Sequence, residues 1–483
     1  MIDTYQMYVD GAWSGAAGGE YLDSVDPYRN EVWARFPRGD RADVDRAVTA
    51  AARAFEQTPW PARIKERARL LHRLAGLVTA GAEHLAQVES RDNGKTIREE
   101  RGATASAAAW YRFAAATAET ASGDIPGGND PDVLALTVRE PYGVIGIQTP
   151  WNTPSVLLAQ VLSMALAAGN TVVVKPSELA PCSTLEFGRL VEQAGFPPGV
   201  FNVVTGTGDV VGEALCQHPL VAKLALTGGP DAGRRVAHHA AERLVPTMME
   251  LGGKSANLVF ADADIGSTAE ALVTAFTGAG GQSCVAGSRV LAHRSVHDEL
   301  VERMAVHAAK IRVGDPRDPG TDMGPMCTRQ QVERVERFVA AGEAEGARLI
   351  AGGRVPADRG GGLFFPPTIF AGVTPDMTIA QQEIFGPVVC VIPFETEAEA
   401  IAVNNGTAYG LAAGIWTHDL DRAHRVARQL RAGTVWINHY RRGDAAFPFG
   451  GYGQSGYGRV NGIDGYREMS RVKSIQLLLR PAS

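Results

Sequence analysis

Between residues 143 and 260, short β-branched runs alternate with helical stretches, and this alternation limits the fold more than any other feature of the chain. The runs are GVIGIQ, TVVVK, FNVV, VAKLAL and TMME. The apolar stretch 154–168 follows the first run. A helix entered through Ser183, with Glu186 three residues on in a capping-box pattern, follows the second. Strands of this length separated by helices predict an α/β fold with a doubly wound, mostly parallel sheet. A second α/β run begins near ANLVF and continues through SRVLAH and VVCVIPF to GTVWIN. Ahead of both, residues 40–118 read as helical: DVDRAVTAAARAFEQ sets Val44, Val48, Ala51, Ala54 and Phe55 on one stripe behind an Asp at the cap. Residues 121–136, rich in Gly, Pro and Asp, read as an excursion, and the tail VKSIQLLLR has strand character. At 483 residues the chain exceeds a single core, so two or three domains are expected.

Composition excludes several classes of function. The net charge is −6 and the basic residues are scattered, which gives no field suited to nucleic acid. The N-terminal MIDTYQMYVDGAW lacks the pattern of a signal peptide. The longest apolar stretch, SVLLAQVLSMALAAG, is shorter than a membrane span and carries Gln160 and Ser163. Five cysteines without paired spacing suit a reducing compartment, so the expectation is a soluble cytoplasmic protein. SRDNGKT ends like a phosphate-binding loop, but Glu89 stands where its first glycine must be. GTGDVVG holds Gly206 and Gly208, but Val211 replaces the third glycine of the dinucleotide fingerprint, which leaves at most a turn between strand and helix. His238 and His239 are adjacent and point apart on a helix, and no other cluster has ligand spacing, so no metal is expected.

GAGGQSCVAGSR places Cys284 among glycines and small polar residues, which supply backbone freedom and little apolar wall. On this stretch alone a reactive thiol and a buried structural cysteine both remain open. Several stretches in chain order settle more: TPWNTP (149–154), VVVKPSELAP (172–181), LTGGPDAGRRV (226–236), MELGGKSANLVF (249–260), GQSCVAGSR (281–289), QEIFGPVV (382–389), YGLAAGIWT (409–417), GTVWIN (433–438) and PFGGYGQSGYGR (448–459). Together they resemble the NAD(P)-dependent aldehyde dehydrogenase superfamily, over about residues 5 to 475.

The resemblance implies a variant Rossmann cofactor domain without the three-glycine signature, over 1–120 and 140–251. It further implies a catalytic domain over 252–455, and a small β excursion with C-terminal tail, 121–139 and 456–483, that joins subunits into a dimer or tetramer. Cys284 matches the family's nucleophile, which adds to an aldehyde carbonyl to give a thiohemiacetal that collapses to a thioester. Asn152, with the main-chain N–H of Cys284, resembles the oxyanion donors. Glu250 matches the general base for thioester hydrolysis, and its presence favours a free acid over a CoA-acylating reaction. Lys175 and Glu178 resemble the residues on the adenosine ribose, and a carboxylate there disfavours a 2′-phosphate, so NAD is expected over NADP. Gly228 and Gly229 open a helix whose N-terminus would face the pyrophosphate. Trp151, Leu251, Glu383 and Phe385 match positions around the nicotinamide and its ribose; Ile147, Thr149, Ser177, Gly208 and Thr227 complete the expected cofactor contacts. Val460 departs from the pattern, since many relatives carry Glu there.

Substrate identity lies in loops rather than in these motifs. Thr153 and Gln160 stand where relatives that take simple aliphatic aldehydes have larger aromatic residues, Ser283 flanks the nucleophile, and HYRRGDAAF brings Arg441 and Arg442 towards the tunnel mouth. These residues predict a polar or carboxylate-bearing aldehyde. A CoA-acylating semialdehyde dehydrogenase and a non-catalytic binding protein on the same fold are the alternatives; Glu250 argues against the first, and retention of Cys284, Asn152 and Glu250 against the second.

Overall fold

The computed structural model describes residues 2–127, 130–355 and 363–479. Two large sheets dominate it. The first has eight strands in the order Gly456–Tyr457, Thr247–Glu250, Val221–Thr227, Val144–Thr149, Thr171–Pro176, Phe201–Val203, Met7–Val9 and Ala12–Ser14. Its five central strands are parallel, and short antiparallel strands close both edges. Val172, Val173 and Val174 are all fully buried, as expected for a parallel strand covered on both faces. The chain leaves Val144–Thr149 in one direction, to Thr171–Pro176 and Phe201–Val203. It then returns to lay Val221–Thr227 on the other side. The reversal opens a crevice beyond the carboxyl ends of Val144–Thr149 and Val221–Thr227, the usual ligand position in such sheets.

The second sheet runs Arg348–Ala351, Thr368–Ala371, Val388–Phe394, Arg289–His293, Ala256–Val259, Ala412–Trp416 and Thr434–Ile437. Only the Arg348–Ala351 edge is antiparallel. A two-stranded ribbon pairs Val133–Pro141 with Ser470–Leu478 in unbroken antiparallel register. The ribbon therefore extends two residues past the expected boundary at 139. Gly456–Tyr457, placed by the sequence in the tail, instead borders Thr247–Glu250, with Gly456 opposite Glu250. Residues 128–129 of the expected excursion, 356–362 of the expected catalytic domain and 480–483 of the expected tail lie outside the described residues.

Local side chains cap some of the helix starts and not others. Asp40 and Asp43 cap Arg41–Gln57 reciprocally, and Thr96 with Glu99 does the same for Ile97–Thr120. The expected box of Ser183 and Glu186 does not form. The helix Cys182–Ala194 starts two residues earlier, with Pro181 at the cap position, so Ser183 already lies inside its first turn. The buried first amide is satisfied from afar: Asp92, near the end of Ile64–Asn93, accepts the Cys182 N–H at 2.9 Å.

Candidate active site

A cleft of about 440 Å³ occupies the crevice. Strand ends supply Thr149 and Thr227, and Gly229 caps the helix Pro230–Arg243 so that the unpaired amides of its first turn face the cleft. A side chain added at Gly208 or at Gly229 would meet no protein atom within 4 Å, so both backbones border open space. Lys175, buried at the end of Thr171–Pro176, holds Glu178 at 2.6 Å. Burial works to raise the Glu178 carboxyl, but the charge and hydrogen bond of Lys175 outweigh it and hold it below the ordinary carboxylate range. The buried Thr149 hydroxyl has no partner within the protein.

At the other end of the cleft, Glu383 accepts the Gly253 N–H at 2.9 Å. Burial pushes its carboxyl up to about 7, against that bond and the charges of Arg334 and Lys254. Phe385 sits at φ +61°, a left-handed conformation unusual for an aromatic residue, and its ring meets Trp151 edge to face at 5.4 Å. The helix Arg329–Ala344 holds this loop in place. Arg334 donates to the Glu383 carbonyl at 2.6 Å, and Gln331 to the Phe385 carbonyl at 2.7 Å. Nothing in the local sequence of Gln331 or Arg334 signals this task.

Cys284 follows a turn in which Ala279, Gly280 and Gly281 are all left-handed. A side chain at Gly281 would collide with the backbone of Gly386, so the turn packs directly against the Glu383–Phe385 loop. The Cys284 thiol is pushed up to about 12, by burial first and then by the charges of Glu383 and Glu250; Arg441 opposes them. Asn152 is buried beside it and donates to the Gln282 carbonyl at 2.9 Å. The rejected phosphate-loop segment supports this region: Glu89 accepts the Ser155 N–H, and Lys95, ion-paired with Glu100 at 3.0 Å, donates to the Thr153 hydroxyl at 3.3 Å. Glu250 ends the strand Thr247–Glu250, and both its buried carboxylate oxygens lack a hydrogen-bond partner among the described residues. Burial holds its carboxyl well above the ordinary range, with Glu468 adding and Arg459 opposing.

A second cavity, about 950 Å³, reaches Cys284 from the opposite side. Cys284, Asn152, Leu157, Gln160 and Phe449 line both spaces, so the two cavities meet at the thiol. Thr153, Ser283, Arg441 and Arg442, the residues expected at the substrate, line the second cavity. The two arginines differ. Arg442 is exposed, whereas Arg441 is half-buried and donates to the Ser283 hydroxyl at 3.0 Å. The sequence analysis missed the aromatic walls, Trp110, Trp436 and Phe447. Trp110 bonds Asn461 at 2.6 Å and Trp436 bonds the Arg442 carbonyl at 2.9 Å. Ile147 corrects one expectation. Its side chain is buried in the core under the cleft and lines neither cavity, because it points into a sheet face packed by helices.

A doubly wound sheet with a ligand cleft at its switch point, joined to a second cavity at one cysteine, is an architecture suited to a dinucleotide-dependent enzyme. The aldehyde dehydrogenase family matches residues 13–475, and the chain belongs to it. It is 44% identical, over 99% of its length and 97% of the relative's, to the (Z)-2-((N-methylformamido)methylene)-5-hydroxybutyrolactone dehydrogenase of Acinetobacter baylyi. Among solved structures it resembles the NAD-dependent aldehyde dehydrogenase of Sinorhizobium meliloti, with a TM-score of 0.97 and 40% identity, covering 100% of this chain and 96% of the other. The NAD+ complex of an aldehyde dehydrogenase from Bacillus cereus also has a TM-score of 0.97, at 38% identity, covering 99% and 97%.

Proposed function

We propose that this aldehyde dehydrogenase oxidises a polar or carboxylate-bearing aldehyde to the free acid, with Cys284 as nucleophile, Asn152 as oxyanion donor and Glu250 as base. The reaction class is NAD-dependent oxidation of an aldehyde to a carboxylic acid. The observation that carries the residue assignment is the meeting of the two cavities at Cys284, with a buried, unpartnered carboxylate at Glu250 bordering the cleft.

The cleft fits NAD. The open backbones at Gly208 and Gly229 leave room for a diphosphate beside the amides of the helix, and the ionised Glu178 suits two ribose hydroxyls better than a phosphate. Lys175 and Glu178 would hold the adenosine end, and Glu383 and Phe385 the nicotinamide end, with residues 1–120 and 140–251 as the cofactor domain and 252–455 as the catalytic domain. Bound there, NAD would supply the hydride acceptor that lets the Cys284-bound thiohemiacetal collapse to a thioester. Cys284 gives up its proton to solvent and attacks the carbonyl carbon as the thiolate. The Asn152 amide, released from the Gln282 carbonyl, and the Cys284 main-chain N–H stabilise the oxyanion. Glu250, once ionised, takes a proton from the water that cleaves the thioester, and Cys284 leaves as thiolate.

Polarity of the substrate is supported by Thr153, Gln160, Ser283, Arg441 and Arg442 on the tunnel wall. The Acinetobacter relative is named for a compound that carries formamido, hydroxyl and lactone groups. The test follows NADH absorbance with a semialdehyde and its uncharged analogue of equal length. The charged substrate should be preferred roughly tenfold or more in wild type, and the preference should vanish in the Arg441→Ala/Arg442→Ala variant. No preference in wild type, or one that survives in the variant, defeats the carboxylate reading. We also place a second copy of the chain on the ribbon Val133–Pro141/Ser470–Leu478, where Leu134, Val472, Ile475, Leu477 and Leu478 are exposed. Whether the assembly is a dimer or a tetramer is read by light scattering. Cytoplasmic residence is part of this reading, in keeping with five unpaired cysteines.

A further inference from the structure

The Cys284 thiol sits in a negative environment. Glu250 and Glu383 flank it, and the Tyr440 hydroxyl is a third titratable group on that side. A nucleophile needs the thiolate, and this setting opposes it. Among the described residues, the leading charge that opposes the two carboxylates at Cys284 is Arg441. Its Nη2 is anchored 3.0 Å from the hydroxyl of Ser283, the residue before the nucleophile. Its backbone is left-handed, φ +63°, which a non-glycine residue holds only when its surroundings demand it. A side chain on Gly278 would stand 2.5 Å from Arg441 Nη1, so the guanidinium occupies space that only a glycine leaves free. Most arginines at the surface of this molecule pair with a carboxylate; Arg441 makes no ion pair among the described residues. Glu99 and Glu270 line a neighbouring cavity together with Arg441, but neither forms an ion pair with it; the half-buried guanidinium also lines the cavity that ends at Cys284, where it can meet a negative charge.

We propose that Arg441 is a positioning residue for the nucleophile, whose fixed charge, held by Ser283 over Gly278, stabilises the Cys284 thiolate in the free enzyme. This rests on Cys284 being the nucleophile and adds a role for Arg441 that needs no substrate. The step it favours is loss of the thiol proton to solvent before the carbonyl is attacked. No electron transfer is involved.

The experiment measures alkylation of Cys284 by iodoacetamide against pH, without aldehyde or NAD. The other four cysteines are buried, and peptide mass spectrometry confirms the labelled site. Arg441→Met should move the profile upward by about one pH unit or more, which slows alkylation roughly tenfold at pH 8. Arg441→Lys should restore most of the wild-type profile. Gly278→Ala, which displaces the guanidinium while keeping its charge, should shift the profile in the same direction by less, and remains informative if the Met variant folds poorly. Superimposable profiles overturn the proposal, and so does uniform slowing without a shift, which marks a change of access. Loss of the semialdehyde preference with unchanged alkylation makes Arg441 a substrate residue only, so the inference falls and the proposed function stands. A shifted profile in an enzyme indifferent to substrate charge has the opposite meaning.

Discussion

The cleft beside Lys175 and Glu178 and the tunnel under Trp110 and Trp436 share a wall at Cys284, yet they are made in different ways. Strand ends, a helix N-terminus and glycine backbones form much of the cleft, and they come from stretches whose register the first sheet fixes. Side chains from the long helix Ile97–Thr120, the turn after Thr434–Ile437 and the loop 441–449 form the tunnel. A surface made of backbone tolerates side-chain change, so it can keep one ligand. A surface made of side chains changes its ligand whenever they change. Substitutions should therefore divide cleanly: those in the cleft alter cofactor choice, those in the tunnel alter the aldehyde, and those at the junction abolish the reaction.

Cys284→Ala is the severest test of that division. NADH formation should fall by at least about a thousandfold while NAD still binds, measured by fluorescence titration, because the thiol forms the covalent intermediate and no cofactor contact. Substantial turnover in the variant would remove the junction from the argument. Glu250→Gln should leave a first burst of NADH and reduce steady turnover by roughly 100-fold, since hydride transfer precedes the step that needs a base. Stopped-flow absorbance reads both phases, and loss of the burst would give Glu250 an earlier role.

The same site predicts a pH dependence. Burial holds both the Glu250 carboxyl and the Cys284 thiol above their ordinary values, Cys284 at about 12. Each acts in its deprotonated form, and a raised value means that form is scarce at neutrality and grows as pH rises. Initial rates should therefore increase from pH 6 to pH 9, and a profile falling over that range would contradict the assignment.

Smaller effects sharpen the two sides separately. Glu178→Gln removes the charge that opposes a 2′-phosphate, so the ratio of kcat/KM for NAD over NADP, expected to be about tenfold or more in wild type, should fall by roughly tenfold. The preference among aldehydes should not move. Trp436→Phe keeps the ring but loses the hydrogen bond to the Arg442 carbonyl, a loosening of about 1 kcal/mol. It should raise KM for the aldehyde by roughly fivefold and leave NAD affinity unchanged. A change in NAD affinity would mean that the cleft and tunnel are coupled through Cys284.

Alternating short strands and helices are enough to determine a doubly wound fold, because each strand run is buried on both faces and the chain must cross over between parallel neighbours. Contiguous motifs carried Cys284, Asn152, Lys175, Glu178 and Glu250 for a related reason: each sits at a strand end or turn where the adjoining glycines and prolines record the backbone path. Long-range placement left no such record. Trp110 reads as one more apolar residue on a helix until Asn461, 351 positions away, accepts its N–H. Ser183 has the local pattern of a cap, but Asp92, 90 positions before Cys182, supplies one instead. Ile147 shares a strand with Thr149, yet only the packing of helices against the sheet puts its side chain in the core rather than the cleft. The sequence thus determined the elements and singled out the residues for which the junction chemistry is proposed. Tertiary structure decided which side chains wall the tunnel and which charge stands over the thiol, because those neighbours are set by how separate elements pack and not by any local run of residues.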